Sequence, residues 1–507
     1  MPQEILSFKY RENVGKSGMT ALGGLPIYLE MAHVSGIAKS IMRNVGLCGS
    51  QGWQDGQMGL SLLMLNVAGG ECVKDIETLE SDPGFAELMR KCQTHAMSRR
   101  ERRAHEKRWR RGGVRSTPSA SVIFRYLDGF HNDEEDAKHR PGTAFIPAPN
   151  AALSGLTKVN ADFVGFVQLI SPERVATLDM DATVIETGKR DAMYCYKGYK
   201  AYQPLNVYWA EQELMVLSEF RDGNVPAGYE QKRVLEEAIE LLPDGVEKVR
   251  IRSDSAGYQW ELLKYCTNGF NKRFGVIEFA IGADVTPELK KSVMEIEEDE
   301  WRPLCRKTEA GWIDTGQQWA ESCFLPNAAG TGRFAPLYRF FVTREPLDEL
   351  RLPGIGDQIE LPFPTMTMGR DGVVYKIQAL VTNLDRDGDD VIRWYRGRCG
   401  KSEEAHSILK EDLAGGRLPS GKFGANAAWW AFAVLAFNLN SAVKRLALKG
   451  DWLNKRMKAI RFAVINLPGR FVRHARQFLM YLSAGCPSLS LLLDARNRIA
   501  DFARPPG

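Results

Sequence analysis

Three carboxylates occupy positions from which they could act on a phosphodiester. Asp181 lies in Leu178-Asp179-Met180-Asp181-Ala182-Thr183, and Asp254 follows the run Val249-Arg250-Ile251-Arg252-Ser253. Glu403 lies at the start of Lys401-Ser402-Glu403-Glu404-Ala405-His406. Carboxylate oxygens suit magnesium, which prefers oxygen ligands and keeps several waters. Two divalent ions about 3.5–4 Å apart can clamp both the attacking and the leaving oxygen of an in-line displacement. A nuclease or strand-transfer centre therefore needs a few acids brought together from strand ends and a nearby helix.

The elements that must position these acids follow from periodicity. From Val175 to Ile185, Ala176, Leu178, Met180, Ala182 and Val184 lie on one face of a strand, and Asp179, Asp181 and Thr183 on the other. Asp181 there reads either as a ligand or as part of an exposed strand face, and Asp179 beside it favours the exposed face. Leu205–Ala210 and Leu214–Phe220 read as two further strands, Gln231–Leu242 as a helix, and Val246–Ser253 as a strand ending at Asp254. A carboxylate at such a strand end is where open α/β sheets place their sites, although a helix N-cap explains it equally well. Tyr258–Cys266 reads as a helix and Phe274–Ile281 as a strand. Three strands, helix, strand, helix, strand is the chain order of a ribonuclease H-like core. Residues 284 to 390 carry short β-like runs, an expected β-rich insertion. Helical phase over Ser402–Leu413 sets Glu403 with Ser407 and Lys410, opposite Ala405, Ile408, Leu409 and Leu413, which favours Glu403 over Glu404. Just upstream, Tyr395, Arg396 and Arg398 offer an aromatic ring and two guanidiniums suited to phosphate.

The chain has 507 residues, too many for a single core, with 44% hydrophobic and 26% charged residues. Net charge is only +4, but Arg99 to Arg115 holds nine Lys/Arg against two Glu. Arg99, Arg100, Arg102, Arg103, Arg108, Arg110 and Arg111 form a footprint for phosphate, or else a solvated helix face. Arg470, Arg473, His474 and Arg476 form a second basic run. Nine scattered cysteines include no C-x-x-C pair, and neither a signal peptide nor zinc-binding histidine spacing is seen. Free thiols in a reducing cytoplasm are expected. The longest apolar run, Ala425 to Leu439, falls short of a membrane span and reads as a buried helix. The absence of a G-x-x-x-x-G-K-[ST] loop removes the commonest nucleotide-binding enzymes.

The division expected is a helical DNA-binding region with the basic block over 1–150, a first part of the core over 151–283 and the insertion over 284–390. The last part of the core, with the catalytic helix, spans 391–425, and a mostly helical region spans 426–507.

Taken together, LDMDATVI, FRDGNVPAG, VRIRSDSAGY and YRGRCGKSEEAHSILKEDL resemble the DDE transposases of bacterial insertion sequences, most closely the insertion-sequence 1380 group, related to piggyBac-type enzymes. The resemblance implies an α/β fold: a ribonuclease H-like catalytic core interrupted by a β-rich insertion, with helical N- and C-terminal regions. It implies Asp181, Asp254 and Glu403 as catalytic residues and metal ligands, with two divalent ions, Mg2+ or Mn2+. It places Tyr395, Arg398 and Lys410 on phosphate, although four residues separate Arg398 from Glu403 where related enzymes leave three. Trp301, Trp312 and Trp319 are candidates to stack on a displaced base, or else insertion core. The implied activity is binding of terminal inverted repeats, cleavage at the element ends and transfer of the 3′-hydroxyl strands to target DNA. The implied partners are double-stranded DNA and a second copy of the chain, with no membrane. A nuclease without strand transfer and a non-catalytic DNA-binding derivative remain as rivals.

Overall fold

The computed structural model describes residues 18–95, 98–110, 114–140, 142–308, 311–324, 326, 338–347, 365–369, 373–475 and 477–503, except the side chains of 105, 106, 108–110 and 368. It is a mixed α/β structure built on one large sheet.

Five strands form the centre of that sheet: β1 (Val175–Ala182), β2 (Leu205–Trp209), β3 (Leu214–Glu219), β4 (Lys248–Ser253) and β5 (Glu278–Ala283). Their order is β3-β2-β1-β4-β5. β1 runs antiparallel to β2, and β2 to β3, while β4 lies parallel to both β1 and β5. Four longer strands follow among the described residues: β6 (Arg302–Thr308), β7 (Gly311–Ser322), β8 (Arg339–Pro346) and β9 (Val374–Thr382). They continue the same sheet in the order β9-β8-β7-β6, with β9 hydrogen-bonded antiparallel to β5. The stretch between β5 and β9 is thus stitched to the core by a continuous backbone ladder. It also carries a helix, Pro287–Met294, capped by the Thr286 hydroxyl.

Strand β1 is not the half-exposed strand that alternation suggested. Thr177 and Asp179 are buried as fully as Leu178 and Met180. A central strand with parallel and antiparallel neighbours is covered on both faces, so its polar residues must find partners inside.

Five helices matter for the site: α1 (Arg99–Arg110), α2 (Ala151–Ile170), α3 (Gly388–Arg396), α4 (Lys401–Ser407) and α5 (Phe423–Ala442). Every residue of α5 but Ala431 is buried. The helix that it opens, Phe423–Leu448, has the length and hydropathy of a membrane span, but 89% of its most apolar window is buried inside the protein. Its asparagines show why it belongs there. Asn438 accepts from Met215 N and donates to Met215 O, and Asn160 of α2 donates to Met215 O and Val216 O. The two amides also bond each other at 2.7 Å. Backbone groups at the outer edge of β3 are thereby satisfied by two helices instead of water.

Two further segments are built from short strands. The region after 426 is not helical throughout: Gly469–His474 and Gln477–Leu482 form a hairpin, turned at Ala475 with φ 46°, that pairs with Met19–Thr20. The alternation in Phe471, Arg473 and Phe478, Met480 has a period of two, and the Phe471 and Phe478 rings stack at 4.7 Å. The connection from β1 to β2 is structured as well. It folds into a small sheet of Ile185–Glu186, Met193–Tyr194 and Lys200–Tyr202.

Candidate active site

Register brings the first two acids together. In the parallel β1/β4 pair Asp179 stands opposite Arg252 and Met180 opposite Ser253. The next residues of the two strands are Asp181 and Asp254, so both carboxylates leave the same edge of the sheet side by side. Burial lifts the pKa of each above the usual aspartate value; the charge of Asp181 lifts Asp254 further, and that of Glu403 lifts Asp181. Asp254 also caps the turn Ser255–Gly257 by accepting from Ala256 N at 3.1 Å, so the cap that its position suggested exists alongside the acid pair.

Close approach at this edge depends on a glycine. A Cβ on Gly282 of β5 would lie 2.9 Å from Tyr395 Oη, 3.1 Å from Ser255 N and 3.3 Å from Asp254 C. Any side chain there would push on the turn that holds Asp254.

One pleat beneath the acids, Asp179 and Arg252 form a buried two-pronged pair, Nε–Oδ1 2.6 Å and Nη2–Oδ2 2.8 Å. Arg252 Nη1 donates to Trp394 O at 2.7 Å, and its guanidinium lies 5.4 Å from the centre of the Trp394 ring. Asp179 is therefore a brace that ties β1, β4 and α3 together.

Arg398 reaches the acids from the turn between α3 and α4. Its Nη2 lies 3.6 Å from Asp181 Oδ2, and its guanidinium lies 5.9 Å from the Tyr395 ring centre. Burial opposes its charge, yet Asp181, Tyr395, Asp254 and Asp179 hold its pKa above the ordinary arginine value. Its Nε is buried with no hydrogen-bond partner. The four-residue gap to Glu403 thus does not remove Arg398 from the acids. A cleft of about 790 Å³, lined by Ser255, Asp284, Tyr395, Arg396, Arg398 and Cys399 among others, opens on its side, and none of the three acids lines that cleft.

Helix α4 presents Ser402 and His406, one turn apart, to Asp181. The Ser402 hydroxyl donates to Asp181 Oδ2 at 2.7 Å, and His406 Nδ1 lies 3.9 Å from the same oxygen. Burial and then the charge of Lys410 drive the His406 pKa down to about 4, so the ring is neutral near pH 7. Sequence reading missed Ser402, His406 and the Asp179–Arg252 brace. The i, i+4 spacing of Ser402 and His406 is the signal that could have found the first two.

Glu403 is exposed, and its carboxylate accepts from Gly400 N at 2.6 Å. Its charge is felt by Asp181 and His406, whereas that of Glu404 is felt by Tyr208 and Lys444. The two glutamates thus face different surroundings, and Glu403 is the one on the acid side. Among the described residues no three His, Cys, Asp or Glu side chains converge closely enough to hold a metal ion. Lys410 lies within a helical irregularity: the chain winds as a π-helix over Ile408–Asp412, a form found often at functional sites. That turn breaks the simple α-helical phase, and Lys410 Nζ donates to Val184 O at 3.3 Å.

The remaining candidates lie elsewhere. Trp312 is 58% exposed on β7, with the Arg393 guanidinium 4.7 Å from its ring centre. Trp319 is buried at 5% against Phe341, and Trp301 is buried under Arg344, so both are core rings and cannot serve as stacking platforms. Arg99, Arg100, Arg102 and Arg103 are exposed on α1. The side chains of Arg108 and Arg110, and all of Arg111 and Arg476, lie outside the described residues. Arg473 is paired with Glu87 at 2.6 Å.

Comparison with known proteins adds two findings. Residues 20–324 and 366–504 match the family model described as "Transposase DDE domain group 1". Among solved structures, the chain is similar to piggyBac transposase in its synaptic complex with hairpin DNA, at 10% identity and a TM-score of 0.39, over 97% of this chain and 89% of that one. A likeness that distant carries no argument about mechanism. No curated protein matches.

Proposed function

From the chain's membership of the transposase DDE domain family, we propose that it is a transposase that binds the terminal inverted repeats of its own element, cuts DNA at their ends and transfers the 3′-hydroxyl strands to target DNA. The observation that carries this reading to particular residues is the β1/β4 register, which sets Asp181 and Asp254 side by side beneath Arg398. The order β3-β2-β1-β4-β5, with its antiparallel and parallel pairs, supports a ribonuclease H-like core. Affiliation with the insertion-sequence 1380 group, and a homodimer that pairs two element ends, belong to the same proposal.

The donor set fits a hard divalent cation. Burial raises the cost of ionising both half-buried carboxylates, the Asp181 charge adds to it at Asp254, and the Ser402 hydroxyl and Arg398 offset part of it at Asp181. Asp181 and Asp254 would hold Mg2+ or Mn2+, joined by Glu403 once its carboxylate leaves Gly400 N. Bound there, such ions supply an activated water and stabilise the leaving oxygen. The chain's own groups do the rest. Ser402 orients Asp181, and neutral His406 fills the space beside it without adding charge. Arg398 has a free buried Nε–H for a phosphate oxygen, and guanidinium geometry suits that contact. Lys410 sits on the Val184 carbonyl, half-buried, within reach of the same edge.

The test uses the DNA flanking this reading frame. Labelled, pre-cut ends incubated with the protein, Mg2+ and a plasmid should yield covalently joined product, absent in EDTA. Cutting of uncut ends with no joined product would assign a nuclease without strand transfer instead.

A further inference from the structure

The small sheet between β1 and β2 has no part in the acid site, yet it carries two exposed tyrosines. Tyr194 is 65% exposed and Tyr196 77% exposed. Each has a lysine near its ring: Lys200 Nζ lies 6.0 Å from the Tyr194 centre and Lys197 Nζ 5.7 Å from the Tyr196 centre. The backbone beneath them is held firmly. Cys195 N donates to Tyr199 O and Gly198 N to Cys195 O, closing a tight turn on Gly198 at φ 83°. Thr187 N donates to Lys200 O, and Lys200 Nζ to Arg190 O. The buried Cys195 side chain and the Met193/Ala201 pairing seat the hairpin on the body.

The hairpin leaves the sheet at the acid edge. Ile185 is four residues past Asp181, a span of about 13 Å at most for extended chain. Lys410 donates to Val184 O at the root of the hairpin and senses the charge of Lys197. From 185 to 202 the basic residues are Lys189, Arg190, Lys197 and Lys200 and the acids Glu186 and Asp191, a net +2. Arg190 is paired with Asp191 at 2.9 Å, which leaves three lysines against Glu186 within the hairpin.

We propose that this hairpin is a binding surface for an unpaired DNA strand beside the scissile phosphate, with Tyr194 and Tyr196 stacking on bases and Lys197 and Lys200 contacting phosphates. Aromatic rings accept any base whose face is free, and lysines nearby neutralise the backbone, so the pair forms a stacking platform without sequence preference. A closed duplex hides its base faces, which makes an opened strand the occupant that uses both features. The proposal rests on the transposase reading for the location of the scissile phosphate, but the binding surface can be tested without cleavage.

The experiment is fluorescence anisotropy in EDTA with two probes, a labelled oligothymidylate and a labelled blunt duplex of arbitrary sequence. Tyr194→Ala/Tyr196→Ala should weaken oligothymidylate binding about tenfold or more and leave duplex binding unchanged. Tyr194→Phe/Tyr196→Phe should restore it, since phenylalanine retains the ring. Tyr196→Ala alone, at the exposed tip, should show part of the loss and guards against misfolding of the double variant. Unchanged oligothymidylate affinity, an equal loss on both probes, or no rescue by phenylalanine would overturn the proposal. A catalytic failure is seen separately: if Asp254→Ala still cuts DNA while the tyrosine variants lose single-strand binding, the acid assignment falls and the surface stands.

Discussion

The Asp179–Arg252 brace gives the most exacting test of how the fold holds its acids. Both side chains are almost fully buried, at 0% and 6% exposure, and three hydrogen bonds fix the guanidinium. Asp179→Leu leaves a buried arginine without its counter-charge, and Arg252→Met leaves a buried carboxylate without its own. Breaking one side of such a pair costs about 3–5 kcal/mol, whereas replacing both by apolar groups of similar volume is often close to neutral. Equilibrium urea unfolding, followed by tryptophan fluorescence, should place each single variant several kcal/mol below wild type. The double variant Asp179→Leu/Arg252→Met should recover most of the loss. The same stretches carry the acids two residues on, so cleavage by the single variants should fall with stability. Single losses below about 1 kcal/mol, or a double variant that loses the sum of both, would refute the argument that this is a coupled buried pair.

Three further outcomes follow from the geometry. His406 is neutral in the fold down to about pH 4, while an unfolded histidine binds its proton near 6.5. Falling pH between those values therefore removes stability, by up to about 3 kcal/mol at roughly 1.4 kcal/mol per pH unit, and His406→Gln should flatten that part of the stability–pH curve. Asp222 acts in the opposite sense: burial and the Asp136 charge raise its pKa to about 7, so its folded form takes up a proton before the unfolded form does, and stability rises as pH falls toward 3.8; Asp222→Asn should abolish that gain in the same titration. Glu403→Gln should remove metal-dependent cleavage while Glu404→Gln retains it, and the reverse pattern in a plasmid-nicking assay would transfer the role to Glu404.

Much of the core could be read from pattern, because strands β2 to β4 and their connecting helix follow short-range periodicity. Asp254 at the end of β4 was visible for the same reason. The burial of Asp179 was not, since its partner Arg252 lies on another strand and only the β1/β4 register makes them neighbours. Alternation also misjudged β1, because a central strand covered on both faces hides its polar residues by pairing them. Helical phase found the side of Glu403 but could not foresee the π-turn over Ile408–Asp412, which depends on packing beyond the helix itself. Trp319 illustrates another limit: composition shows an aromatic in a β-rich stretch, and only the fold shows Phe341 and Arg302 already occupying its faces. The 469–482 hairpin escaped because its two strands are short, and its pairing with Met19–Thr20 joins opposite ends of the sequence.

The central claim is that Asp181 and Asp254 are the paired acids of a DNA-cutting centre. Its most direct measurement compares wild type and Asp254→Ala on DNA carrying the flanks of this reading frame, scoring cleavage in Mg2+ and binding by gel shift. The expected result is that Asp254→Ala binds that DNA as wild type does and cuts none of it. Magnesium-dependent cutting that persists in Asp254→Ala would contradict the account.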